Sequence, residues 1–100
     1  MVATCHSLPL RYTRHAVTRC QQRGLSSMAV GFIVTYGHEY HAGNGATAYF
    51  LGQKAVVAAR GRHGVKLDRW QGTAVIVSGD QSIVTVQHVS RPKRSWRGRD

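Results

Sequence analysis

Acidic residues are scarce. Against fourteen lysines and arginines the 100-residue chain sets only Glu39, Asp68, Asp80 and Asp100, leaving a formal net charge of +10. Four scattered carboxylates argue against a two-metal nuclease, which needs several acids to hold its ions. Cysteine is nearly absent too. Cys5 and Cys20 form no C-x-x-C pair, so they read as reduced thiols, with Cys20 packed as a small hydrophobe. No apolar run approaches the ~20 residues that cross a bilayer. The opening MVATCHSLPLRYTRH lacks a basic stretch followed by a continuous apolar one, which predicts no secretory signal and a cytoplasmic location. Internal repeats are missing. GNGATA lacks the Gly-Lys-Ser/Thr ending of a phosphate loop and reads as a turn.

What remains is positive charge on a chain long enough for one core, with 42% hydrophobic residues. Arginine outnumbers lysine eleven to three, a bias that suits planar, bidentate contact with phosphate. The expected partner is therefore a polyanion: RNA first, DNA as an alternative.

Residues 1–12 read as an arm or a short edge strand. Thr13 is placed to cap a helix over Arg14–Arg23 that Gly24 ends. Its buried side carries Ala16, Val17 and Cys20, and a stripe of His15, Arg19, Gln22 and Arg23 runs beside it. A second helix starts after Ser26 or Ser27 and stops at Gly37. HEYHAGNGATAYFL is a hairpin about Asn44-Gly45. The stretch after it is ambiguous between helix and strand, and its alanines favour a short helix over Gln53–Arg60. VKLDRWQG is a connection. TAVIVSGDQSIVTVQHV gives two β-branched runs about Gly79-Asp80. The reading is a single α+β domain over 1–91, its helices packed on one face of a mainly antiparallel sheet of about four strands, with a basic flexible tail over 92–100.

The segments RHAVTRCQQRGLS, GNGATAYFLGQKAV and VIVSGDQSIVTVQH together resemble a family of small bacterial proteins. Its members share an H-A-x-x-R-x-x-x-R-G-[IL]-S motif in the first helix and end in a strand of the V-[IL]-T-V kind. Such domains are similar to the metal-independent ribonuclease folds of barnase, the colicin D nuclease and the RelE toxins. The resemblance covers residues 12–91 and implies a RelE-like arrangement and a toxin-like endoribonuclease activity.

Metal-free RNA cleavage needs a base for the 2′-hydroxyl, an acid for the departing 5′-oxygen and cations for the charged phosphorane. His15 and His88 are the candidates for the two proton roles. Arg19, Arg23 and Arg91 are fixed cations and serve as clamps. Thr85 and His88 are separated by an odd number of residues, so an ideal strand points them to opposite faces. Arg14, Lys54 and Arg60 extend the basic surface. Lys93, Arg94, Trp96 and Arg97 in the tail can grip single-stranded nucleic acid by charge and stacking. No cofactor is expected and no metal: His38 and His41 flank a strand-like stretch without further ligands. The scheme requires His15 and His88 to share one cationic hollow. Two other readings need the same arginines without histidine chemistry. One is a non-catalytic RNA- or DNA-binding module of a phage or mobile element; the other is a protein inhibitor, or a toxin bound by an acidic antitoxin.

Overall fold

A computed structural model describes residues 11–98. Along the chain run β1 (Arg11–Tyr12), α1 (Arg14–Arg23), α2 (Ser27–Tyr36), β2 (His38–Gly43), β3 (Ala46–Phe50), α3 (Gln53–His63), a 3₁₀ turn (Asp68–Trp70), β4 (Thr73–Val77), β5 (Ser82–His88) and β6 (Arg97–Gly98). The strands form one six-stranded mixed sheet in the order β1-β5-β4-β3-β2-β6. Among the described residues no helix is long and apolar enough to cross a membrane.

Local chemistry sets the helix limits. The Thr13 side chain accepts a hydrogen bond from the Ala16 N–H at 3.1 Å and donates one to the Val84 carbonyl at 3.1 Å, so the cap of α1 also ties it to β5. At the other end Gly24 turns left-handed, and the Leu25 N–H reaches back to the Cys20 carbonyl. Ser26 caps α2 through the Ala29 N–H at 3.1 Å. The β2–β3 hairpin turns on Asn44 and Gly45, with φ of 54° and 77°, the paired positive angles that a two-residue turn demands.

Apolar burial then orders the layers. α1 packs along β5, and α2 covers β4 and β3. Ala16, Cys20, Val30 and Ile33 of these helices meet Val75, Val77, Ile83 and Val86 of the sheet, with Leu51, Val56, Ala59 and Leu67 closing the core. β4 is buried at all five positions, so the sheet is covered on its second face as well. Pairing aligns Tyr40, Ala48, Ile76 and Thr85 across that face, and the Trp96 ring stands 6.2 Å from the Tyr40 ring. The chain leaves β5 at one side of the sheet and adds β6 outside β2 at the other, where Arg97 pairs with His41 and Gly98 with Tyr40.

Several expectations need correction. The sheet has six strands rather than four and is not purely antiparallel: Arg11 and Tyr12 run parallel to Ser82 and Ile83. Residues 92–98 are not a free tail, because Trp96 packs at Tyr40 and β6 joins the sheet edge. α3 continues past Arg60 to His63, ended by Gly64 at φ 67°. Val17, placed on the buried side of α1, is 42% exposed, since the 100° step from Ala16 carries it off the contact stripe. The connection before β4 contains the 3₁₀ turn and the fully buried Leu67. Thr85 and His88 do take opposite faces, paired with Ile76 and Thr73; the register shift of β5 lies before Thr85. Cys5 lies outside the described residues.

Candidate nucleic-acid interface

Two adjoining hollows form a groove across one end of the sheet. The first, about 560 Å³, lies between the end of α2, β2 and the first turns of α3, with Tyr36, His38, Tyr40 and Lys54 in its walls. The second, about 470 Å³, is bounded by Gln71, His88, Ser90 and Arg91 at the ends of β4 and β5 and by Asp68 of the 3₁₀ turn. They share Phe50, Gly52 and Gln53. From β2 to β5 the groove spans three interstrand spacings, about 14 Å.

Backbone pairing builds the junction. The Leu51 N–H bonds to the Thr73 carbonyl at 2.9 Å and the Gly72 N–H to the Leu51 carbonyl at 2.8 Å, so β3 remains stitched to β4 until α3 begins. A Cβ at Gly52 would stand 2.7 Å from the Phe50 ring, so only glycine lets the helix start so close to that side chain. Gly72 does the same for His88. Its φ is 90°, and a Cβ there would fall 2.9 Å from His88 Nε2. The Val89 N–H closes the contact on the Gly72 carbonyl at 2.7 Å. His88 is thus seated on bare backbone, with its ring exposed at the groove.

The groove's carboxylate is already committed. Arg60 donates a hydrogen bond to Asp68, and that bond, followed by the charges of Arg60 and Lys66, holds the Asp68 carboxyl below its ordinary range. Arg91 and Lys54 stand exposed in the same groove. Beyond its aromatic end, His38 and Tyr40 lie with ring centres 5.1 Å apart, Tyr40 is followed by Trp96, and the Lys93 ammonium sits 5.9 Å over the Trp96 ring. The elements of the groove therefore alternate flat rings with cations.

The predicted site residues separate into groups. His88 and Arg91 share the second hollow, Lys54 lines the first, and Lys93 and Trp96 continue the row. Arg94 and Arg97 are exposed on the returning segment. Arg60 is occupied by Asp68 in a shallow depression with Lys66 and Arg69. His15, Arg19 and Arg23 lie along a separate stripe on α1, where Arg19 donates to Gln22 at 3.3 Å, and Arg14 stands on another side of the same helix. The Thr13 N–H bonds to the Ile83 carbonyl, which sets the first turn of α1 roughly 15 Å along β5 from His88. No α1 residue lines the hollow that holds His88, so His15 and His88 are not assembled there.

Buried thiol chemistry plays no part in this surface. Cys20 is in the core, and burial raises its pKa. Asp80 on the β4–β5 turn is held low by hydrogen bonds from Ser78 and Ser82 and faces Arg11 at 3.9 Å. Among the described residues no three His, Cys, Asp or Glu side chains cluster.

Sequence reasoning missed Tyr36, Tyr40, Phe50, Gln53 and Gln71. A signal for Tyr40 was present. In HEYH the period of two puts His38 and Tyr40 on one strand face, an aromatic pair rather than a fragment of a metal site. No family model matches the chain, and neither curated proteins nor solved structures provide a match.

Proposed function

We propose that the protein binds single-stranded RNA along the groove from Tyr40 to Arg91. One observation carries the reading: the groove offers Lys54, His88 and Arg91 together with aromatic rings, while its carboxylate, Asp68, is paired with Arg60. Cations that track a backbone and rings that take base faces are the two ingredients of sequence-tolerant single-strand binding. The net charge of +10 supplies long-range attraction to the same partner. Fluorescence anisotropy of a labelled single-stranded RNA tests it. Binding that weakens with salt and is lost in the paired Lys54→Gln, Arg91→Gln variant is expected; unchanged binding by that variant refutes it.

His88 beside Arg91 favours a second reading, a metal-independent endoribonuclease of the RelE kind. In it His88 takes the 2′-hydroxyl proton, the O2′–P bond forms and the P–O5′ bond breaks. A 2′,3′-cyclic phosphate is left, and the 5′-oxygen departs with a proton from solvent. Arg91 holds the charged phosphorane. Incubation of RNA in EDTA decides it: cyclic-phosphate ends that vanish in His88→Ala support cleavage, and intact RNA rejects it.

A further inference from the structure

We infer that the aromatic half of the groove is a pocket for one unstacked nucleobase, with Lys54 taking the phosphate attached to it. The inference rests on the RNA-binding reading and specifies how that groove engages its ligand. At about 560 Å³ the cavity falls within the range of small-molecule sites, which are largely apolar with a few convergent polar groups. Its walls fit that description. Tyr36, His38, Tyr40 and Phe50 supply ring surface, and Ala55 and Ala58 keep the α3 side low.

Planar surface of this kind accepts any base, because every base has a π-face. The Gln53 side chain, exposed at the point where the two hollows meet, carries both a donor and an acceptor and can pair with a base edge. Charge points the same way. None of the residues lining this cavity is acidic, and Lys54 is its fixed cation. An aromatic ligand carrying negative charge satisfies the cavity; a cationic or purely aliphatic one leaves Lys54 or the rings without a counterpart. The neighbouring hollow continues to Arg91 and His88, so the next phosphate of a strand has the Arg91 cation to meet. A base in the first hollow is therefore compatible with a strand that runs on through the second.

The same chemistry reaches the pocket from two sources, a free nucleotide or a residue of an RNA strand, and the experiment separates them. The full-length protein is titrated with a short single-stranded RNA, with the same RNA carrying one abasic residue, and with a free mononucleotide. Binding is followed by anisotropy, and amide shifts of Ala55 and Ala58 are followed by NMR. For the strand, the abasic change is expected to weaken binding about 5-fold to 150-fold, with Tyr40→Leu giving a loss in the same range. Because Tyr40 also holds Trp96, Lys54→Gln on the exposed face of α3 is the second variant, and it should weaken intact and abasic RNA equally. RNA that binds with no abasic penalty and no shift at Ala55 or Ala58 overturns the pocket while leaving the groove intact. A mononucleotide that moves those amides when no RNA binds keeps the pocket and overturns the groove. Silence in every arm overturns both.

Discussion

The groove and the α1 stripe both present arginine or lysine to solvent, and salt dependence tells them apart. Lys54 and Arg91 line the groove and Lys93 lies just beyond it over Trp96. If each neutralises one phosphate, three contacts at about −0.7 apiece on a single strand give a slope of log K against log salt of about −2. Between 50 and 200 mM salt the affinity should then fall by about 15-fold to 20-fold. Replacing Lys54, Arg91 and Lys93 together by glutamine should bring the slope close to zero. The matching change of Arg14, Arg19 and Arg23 removes as much charge from α1 and should leave the slope near −2, with affinity lowered only by the smaller long-range field. Anisotropy of a labelled single-stranded RNA over a salt series provides the slopes, and thermal melts confirm that each variant folds. A slope that collapses in the α1 variant and persists in the groove variant would refute the assignment and move the interface to the first helix.

Three further outcomes follow from the packing. Ile33 is fully buried among the sheet valines, so Ile33→Ala should lower unfolding free energy by about 2–5 kcal/mol in denaturant titrations; a change below 1 kcal/mol would contradict the core described. Gly72→Ala combines a φ of 90° with a Cβ 2.9 Å from His88 Nε2. It should destabilise by about 1–3 kcal/mol and shift the His88 imidazole resonances, whereas a mutant with wild-type stability and spectra would mean the seat of His88 is wrong. The Asp68 carboxyl, held low first by the Arg60 hydrogen bond, should titrate below the ordinary aspartate value of 3.8 in a carbon-13 NMR experiment. Because the folded-state value is the lower one, its contribution to stability is present above the unfolded-state value and disappears as pH falls through the folded one. Arg60→Gln should raise the midpoint, and no movement would show that Arg60 is not its partner.

Local signals made the elements legible. Thr13 and Gly24 bracket α1 as read, Ser26 and Gly37 bracket α2, and Asn44-Gly45 turns the first hairpin. Each is decided within a few residues by capping or by sign of φ. The sheet's full extent was only partly legible: an edge strand within 1–12 is one of two readings of that stretch, whereas β6 gains its hydrogen bonds from distant β2 and has no local strand pattern. One clue was available in TAVIV: a strand apolar at four successive positions, Ala74 to Val77, is buried on both faces. On that second face the Trp96 ring stands against Tyr40 of β2, two strands from β4. For the candidate site, residue type singled out His88, Arg91 and Lys54, which line the two adjoining hollows, but spacing along α1 carried no information about which hollow its arginines would reach. The convergence of β2, the α3 entry and the end of β5 depends on strand order, which no local pattern encodes.

The outermost strands have a consequence for how the molecule behaves in concentrated solution. Among the described residues each lateral border of the sheet carries one arginine, Arg11 in β1 on one side and Arg97 in β6 on the other. Arginine at both borders sets like charge against like when two such edges approach, which works against edge-to-edge pairing. A second copy that adds a strand to the six-stranded layer must therefore bring its own positive edge against a positive edge.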